Sequence, residues 1–171
     1  TGCTASGVIS IAQELTTNGD FSLGVTGFTT DPQYTNHQAY YTGTATSGLW
    51  PEGLYAVNTN AYSGGRYYNN PYGYHSLFFG HDHTTGTGNF MMVNGNAPTN
   101  GVLAVVWQEG PITVLPNTEY YFSAWAMSLN NYPPYASLRF AINGTQVGTT
   151  DTLGAGPSSN SGVSLSNWSR F

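Results

Sequence analysis

Residues 137–148, SLRFAINGTQVG, constrain the fold most, because they join a strand pattern to a turn that few residue pairs can form. Leu138, Phe140 and Ile142 alternate with their neighbours, which places them on one face of a strand. The Asn143–Gly144 pair follows them, and Asn-Gly is favoured in two-residue hairpin turns. We therefore predict a β-hairpin centred on this pair.

The rest of the chain repeats the strand signal and lacks a helical one. Apolar residues do not recur at helical spacing over any long window, because Gly or Pro interrupts most segments. Short apolar or alternating runs instead occupy residues 7–15, 89–95, 101–110 and 119–129. Several short strands with turn residues between them indicate an all-β sandwich of two antiparallel sheets. Within this pattern Trp107 and Trp125 are expected in the core.

The charge content restricts the class of partner. Only 6% of the residues are charged, against about 25% in an average soluble domain. Arg66, Arg139 and Arg170 are the only strong cations, and the net charge is -5, so clustered contacts to nucleic-acid phosphates are excluded. No apolar run is long enough to span a membrane as a helix. The Thr-, Asn-, Gly- and Tyr-rich composition is typical of extracellular proteins, and Cys3 has no partner for an intrachain disulfide.

The segment from Tyr34 to Gly80 lacks regular pattern and is rich in Tyr, Asn, Gly and Pro. Long loops of this kind are functional when they are ordered. Aromatic rings can stack on the C–H faces of sugars, while amide and guanidinium groups bind hydroxyls, although such rings also serve protein contacts or pack locally. The candidate ligand-binding residues are Trp50, Tyr62, Arg66, Tyr67, Tyr68, Asn69, Tyr72 and Tyr74.

The stretch GHDHTTGTGNF at residues 80–90 allows three interpretations. His81 and His83 have a spacing that suits zinc, but no third ligand is evident. Oxygen ligands at Asp82 and Asp20 would suit a structural calcium ion. The simplest interpretation is a turn in which Asp82 binds its own backbone and anchors the loop, with Phe90 and the nearby Met92 entering the core.

Catalytic patterns are lacking in the sequence. Paired carboxylates for glycoside hydrolysis are not evident among eight acidic residues, and no Gly-x-Ser-x-Gly elbow occurs. We therefore predict a protein that is not an enzyme. Candidate glycosylation positions are the sequons at Asn143 and Asn167, the first of which overlaps the predicted turn, and Thr152 in the sequence Asp-Thr-Leu.

Between about residues 15 and 170 lie, in this order, the segments ELTTNGDFSLGVTGF, DHTTGTGNFMMVNG, VVWQEGPITVLPNTEYYFSAWAMSL and LRFAINGTQVG. Together they resemble carbohydrate-binding modules of the galactose-binding-like jelly-roll type, as found in surface adhesins of gliding bacteria, with a distant likeness to MAM domains. The resemblance implies a jelly-roll β-sandwich, a secreted or cell-surface glycan-binding role, a structural calcium ion and O-glycosylation at Thr152.

Two departures from that family suggest a second hypothesis. The chain ends soon after Trp168, where the family continues with one or two further strands, and residues 1–14 add a strand-like N-terminal extension to a single jelly-roll domain at 15–171. Either the remaining strands belong to a longer chain, or the incomplete sheet is completed by a strand from a neighbouring copy. The first hypothesis is thus a module that binds a polysaccharide or cell-surface glycan. The second is a subunit of an extracellular filament that donates residues 1–14 to the next copy.

Overall fold

The computed structural model describes residues 14–32, 34–36, 48–49, 52–61, 74–75, 77–95 and 103–171. Strands are the main regular structure in this part of the chain. They are β1 (Thr35–Asn36), β2 (Leu54–Asn58), β3 (Phe90–Asn94), β4 (Trp125–Ala126), β5 (Ser137–Ile142), β6 (Thr145–Thr152) and β7 (Ser169–Arg170). The helical elements among these residues are two 3-10 turns, at Asn160–Gly162 and Leu165–Asn167. The prediction of an all-β protein is confirmed.

The strands of the described residues form three small sheets. In the first, β2 lies between β1, which is parallel to it, and β3, which is antiparallel. The second pairs β4 with β7, and the third is the hairpin β5–β6. These pairings do not establish the two packed sheets of a jelly roll, which stays a prediction. The first 13 residues of the proposed donor segment lie outside the described part of the chain.

The core lies around β2 and β3. It contains Leu54 and Ala56 of β2 with Phe90 and Met92 of β3, so the predicted burial of Phe90 and Met92 is confirmed. Each strand places alternate side chains on one face, which explains why Phe90 and Met92 are buried while Met91 between them is half-buried. Four buried residues from the flanking segments complete this cluster, with Leu129 and Trp168 packed against it. The four are Leu49, Ala61, Tyr74 and Phe78.

The hairpin agrees with the sequence in its two-residue turn, and its register shifts between Leu138 and Phe140. Asn143 and Gly144 both have positive φ, of 49° and 78°, as a two-residue type I′ turn requires. Phe140 lies opposite Val147, and Ile142 lies opposite Thr145. The apolar side of the hairpin, here called the hairpin face, consists of Leu138, Phe140, Ile142 and Val147. Ile142 and Val147 are 54% and 45% exposed, so this face is only partly covered.

Two predicted strands are wrong in extent. Residues 103–110 contribute a single bridge, between Gln108 and Thr29, and residues 119–129 contribute only β4. Pro111 and Pro116 lack amide hydrogens and separate the two runs, which limits regular pairing between them. Trp125 is also not in the core, because its side chain is 46% exposed. The segment from Tyr34 to Gly80, expected to lack regular structure, contains the central strand β2.

Gly156 packs too closely against backbone to admit a side chain. A Cβ atom at this position would lie 2.1 Å from the Ser128 carbonyl oxygen and 2.6 Å from that of Asn130. The same segment is held by a hydrogen bond from the Gly156 amide to the Asn130 carbonyl, at 2.7 Å. Gly154, two residues earlier, has open space where its Cβ would lie.

We expect Gly156→Ala to lower the free energy of unfolding by about 3 kcal/mol, since rigid backbone atoms cannot move away from the new methyl group. Urea unfolding monitored by tryptophan fluorescence measures this change. Gly154→Ala is the matched control and should stay within about 0.5 kcal/mol of the parent chain. Equal effects of the two substitutions would contradict the packing described for Gly156.

Candidate functional site

Most of the predicted ligand-binding residues lie outside the described part of the chain, namely Trp50, Tyr62, Arg66, Tyr67, Tyr68, Asn69 and Tyr72. Tyr74 is the one that the structure describes. Its side chain is 0% exposed and belongs to the core, and its hydroxyl accepts a hydrogen bond from the Asn58 side-chain amide at 2.5 Å. Its ring therefore packs inside the protein and offers no face to a ligand.

The loop at residues 82–88 is organised by the carboxylate of Asp82, which is 8% exposed. One oxygen accepts the Thr84 amide at 2.9 Å. The other accepts the Thr85 amide at 2.7 Å, the Thr85 hydroxyl at 2.6 Å and the Gly88 amide at 3.2 Å. The interpretation of this stretch as a turn anchored by Asp82 is confirmed.

The same contacts set the acidity of Asp82. Burial alone would raise the pKa of its carboxyl group, because a charge is less stable away from water. The hydrogen bonds from Thr85, Thr84 and Gly88 favour the ionised form and outweigh burial, so the pKa is lowered to about 2. Asp82 is therefore ionised in the folded protein down to strongly acidic pH.

The two histidines of this stretch are engaged separately. Nδ1 of His81 lies 3.1 Å from the Asp82 carbonyl oxygen. The ring of His83 stacks on Trp125, with centroids 3.8 Å apart and planes 14° apart, and it meets Trp168 edge-on at 5.8 Å. No group of three or more His, Cys, Asp or Glu side chains suited to a metal ion occurs among the described residues. The zinc interpretation thus gains no third ligand within them.

Asp20, the other candidate calcium ligand, is exposed. Its carboxylate accepts the Ser22 amide at 3.0 Å and the Ser22 hydroxyl at 2.8 Å, and these bonds lower its pKa. The negative charge of Asp82 opposes that decrease in the pKa of Asp20. Calcium at Asp20 or Asp82 stays a prediction, and it would require the ion to compete with the amide and hydroxyl donors already bound.

The candidate glycosylation residues occupy three different settings. Asn143 lies in the hairpin turn and is exposed. Thr152 ends β6, and its hydroxyl lies 2.8 Å from that of Ser137 on the paired strand. Asn167 ends a 3-10 turn, is half-buried and accepts the Ser164 amide at 2.8 Å through its side-chain oxygen. Glycosylation at each of these positions stays a prediction.

A groove of about 330 Å³ opens where residues 17–29 meet residues 108–111. We call it the Phe28 groove. It is lined by Thr17, Gly27, Phe28, Thr29, Gln108, Glu109, Gly110 and Pro111.

Hydrogen bonds between the two segments hold the groove in shape. The Thr29 amide donates to the Gln108 carbonyl at 2.7 Å, and the Gln108 amide donates back to Thr29 at 2.8 Å. On one side, a carboxylate oxygen of Glu109 accepts the amide of Thr17 at 2.7 Å and also its hydroxyl. The backbone pair Thr29–Gln108 and the contact between Thr17 and Glu109 thus fix the two segments that line the groove relative to each other.

The lining combines an aromatic ring with amide and carboxylate groups. Phe28 is half-buried and is held edge-on by Phe21 at 5.7 Å, with Tyr55 6.1 Å away. The side-chain amide of Gln108 is exposed and makes no hydrogen bond with any residue in the described ranges. Sequence reasoning missed this site, because the Thr29–Gln108 bridge joins positions 79 residues apart and no local sequence pattern predicts such a pairing.

No protein-family model matches the chain, and no curated protein or solved structure matches it either. The resemblance to jelly-roll carbohydrate-binding modules is accordingly untested by these comparisons. Within the described residues, no helix is both long enough and apolar enough to cross a membrane.

We expect acid to destabilise the protein through Asp82. Its folded-state pKa of about 2 lies below the ordinary aspartate value of 3.8, so its contribution to stability is complete above pH 4 and decreases as the pH falls towards 2. Asp82→Asn should lower the free energy of unfolding at pH 7 by about 2 kcal/mol and remove this part of the acid dependence.

The measurement is the free energy of unfolding between pH 7 and 2 for both chains. Asp20→Asn is the control, because Asp20 makes comparable contacts on the surface, and it should change stability much less. His75 supplies a second source of pH-dependent stability, which does not involve Asp82 and serves as an internal reference. Burial lowers its pKa, so its effect begins as the pH falls below about 6.5 and should survive in Asp82→Asn. An unchanged acid response in Asp82→Asn would contradict the assignment.

Proposed function

We propose that this chain is a secreted, non-catalytic module that binds carbohydrate, and that the Phe28 groove contacts the sugar. The observation that carries the proposal is the lining of the groove. Phe28 and Pro111 offer apolar surface to a pyranose ring, and Gln108 and Glu109 offer hydrogen-bonding groups to its hydroxyls. The volume of about 330 Å³ falls at the small end of ligand sites and suits one or two sugar units.

The charge content agrees with a neutral ligand. Arginine and lysine total three residues in the whole chain, so few cationic side chains are present to bind a highly anionic polymer. Neutral glycans are bound mainly through aromatic stacking and amide or hydroxyl hydrogen bonds, and those groups are abundant here. The rings that the sequence predicts as sugar-binding, at Trp50, Tyr62, Tyr67, Tyr68 and Tyr72, are groups of the same kind. Catalysis has no role in this proposal.

Substitution of Gln108 tests the groove. We expect Gln108→Ala to weaken binding about tenfold on a glycan array and in titration calorimetry with the best glycan, since a buried sugar hydroxyl would lose its partner. Gln146→Ala is the matched control, because Gln146 is exposed on the hairpin, away from the groove, and it should bind as the parent does.

Tyr67→Ala and Tyr72→Ala, measured in the same assay, distinguish the groove from the aromatic segment predicted by the sequence. Loss of binding in these variants but not in Gln108→Ala would move the site away from the groove. A parent chain that binds no glycan would contradict the proposed function.

The second candidate function is self-assembly by strand addition, and the hairpin favours it. All eight residues of β6 are exposed, and within the described residues the hairpin pairs with no further strand. A two-stranded hairpin is marginally stable alone, and its open edges can accept another strand. Covering the partly exposed hairpin face would stabilise the assembly by about 25 cal/mol for each Å² of apolar surface that is removed from water.

Self-assembly predicts a concentration-dependent native mass, measured by light scattering with negative-stain images of the same sample. Deletion of residues 1–14 should lower that mass, and Val147→Lys should do so as well, because it places a charge on the hairpin face. Gln146→Lys puts the same charge on the opposite face and is the control. A parent chain that stays monomeric at high concentration excludes assembly as the function.

A further inference from the structure

The sequence contains four Asn-Gly pairs, at Asn18, Asn94, Asn100 and Asn143. Asparagine followed by glycine is chemically labile, because glycine has no side chain to shield its amide nitrogen from the neighbouring side-chain amide. Whether a given pair reacts depends on how firmly the asparagine side chain is held. The structure describes three of the four pairs, and their asparagine side chains differ in how firmly they are held. Asn100 lies outside the described residues.

Asn18 is held on both of its polar atoms. Its side chain is 3% exposed, and its nitrogen donates to the carbonyls of Gly24 at 2.9 Å and Thr26 at 2.7 Å. Its oxygen accepts the Leu23 amide at 2.9 Å. Rotation of the side chain towards the following backbone nitrogen would break all three hydrogen bonds.

Asn94 is held by one strong contact and by its place in a sheet. Its side-chain nitrogen donates to the Leu49 carbonyl at 2.6 Å. It is also the last residue of β3, where it lies opposite Leu54, and its own carbonyl accepts the Gly53 amide at 2.9 Å. Reaction at Asn94 would therefore require this end of β3 to open.

Asn143 differs from both. It is exposed, and its side chain makes no hydrogen bond to any residue in the part of the chain that the structure describes. It lies in the two-residue turn with φ of 49°, and the following Gly144, with φ of 78°, has no atom within 4 Å of the position of a Cβ. Within the described residues, no side-chain hydrogen bond of Asn143 and no packing around Gly144 holds the Asn143 side chain away from the following amide.

We propose that Asn143 is a site of spontaneous deamidation in the folded protein. The Gly144 amide nitrogen bonds to the side-chain carbonyl carbon of Asn143, and the side-chain nitrogen leaves as ammonia with the proton of that amide. Water then opens the cyclic imide at either carbonyl. The product is aspartate if the original main chain is restored, or isoaspartate if the main chain runs through the former side chain. No oxidant or cofactor is required.

The modification changes the hairpin in two ways. Either product adds one negative charge, which takes the formal net charge from -5 to -6. Isoaspartate also adds one methylene group to the main chain of a turn that has only two residues, so the register of Phe140 with Val147 can no longer be closed by a type I′ turn. Both products remove the amide that N-glycosylation of Asn143 would use. This inference does not rest on the proposed function.

Peptide mapping by mass spectrometry tests the proposal on the intact chain. The protein is incubated at mildly alkaline pH, once folded and once in urea, and the replacement of NH2 by OH is followed at each Asn-Gly pair over time. Asn143 should react in the folded protein at nearly its rate in urea. Asn18 and Asn94 should be slowed about tenfold or more by folding, because their hydrogen bonds must open first.

The test compares how much folding slows deamidation at Asn143 with how much it slows deamidation at Asn18 and Asn94 in the same sample. If folding slows Asn143 as much as it slows Asn18 and Asn94, the proposal is overturned. Asn143→Gln is the control for peptide assignment, because it retains the amide but reacts far more slowly through a larger ring. It should abolish the product at this position and leave the rates at the other two pairs unchanged.

Discussion

The carboxylate of Asp82 organises the loop that leads into the central sheet of the described structure. Its two oxygens accept three amides and one hydroxyl, and these donors lie within six residues of it. The loop closed in this way leads directly into β3, whose Phe90 enters the core. It also carries His83, whose ring stacks on Trp125 of β4. The loop that this carboxylate closes is thus in contact with the C-terminal part of the chain through His83 and continues directly into the central sheet.

Away from that connection the packing is uneven. The β2–β3 region buries its side chains, whereas β6 buries none and the hairpin face is only partly covered. A stack between Phe122 and Phe140, with centroids 3.9 Å apart, is the main aromatic contact described for that face. Most of the exposed large apolar side chains lie in the C-terminal half of the described chain, and exposed apolar surface of this kind marks candidate interaction sites.

The sequence predicted what local chemistry determines. The hairpin turn followed from Asn143–Gly144, β3 from its apolar run, and the Asp82 turn from the run of Thr and Gly after it. What it missed depends on distant partners: β2 is short and surrounded by an irregular aromatic segment, and the Phe28 groove exists only because Thr29 meets Gln108. Strand propensity also misled where no neighbouring strand was available, as in the run from 119 to 129, because a strand is stabilised by its partner rather than by its own residues.

The scarcity of charge bears on both candidate functions in the same way. With three cations in the chain, ion pairs made by its own arginines could contribute little to either proposed interaction. Aromatic surface, neutral hydrogen bonds and backbone pairing remain, and these are little affected by ionic strength, in contrast to exposed charge pairs, which salt screens within about 10 Å. Whichever of the two surfaces is used, interactions of this kind forgo electrostatic steering and would persist over a wide range of salt concentration.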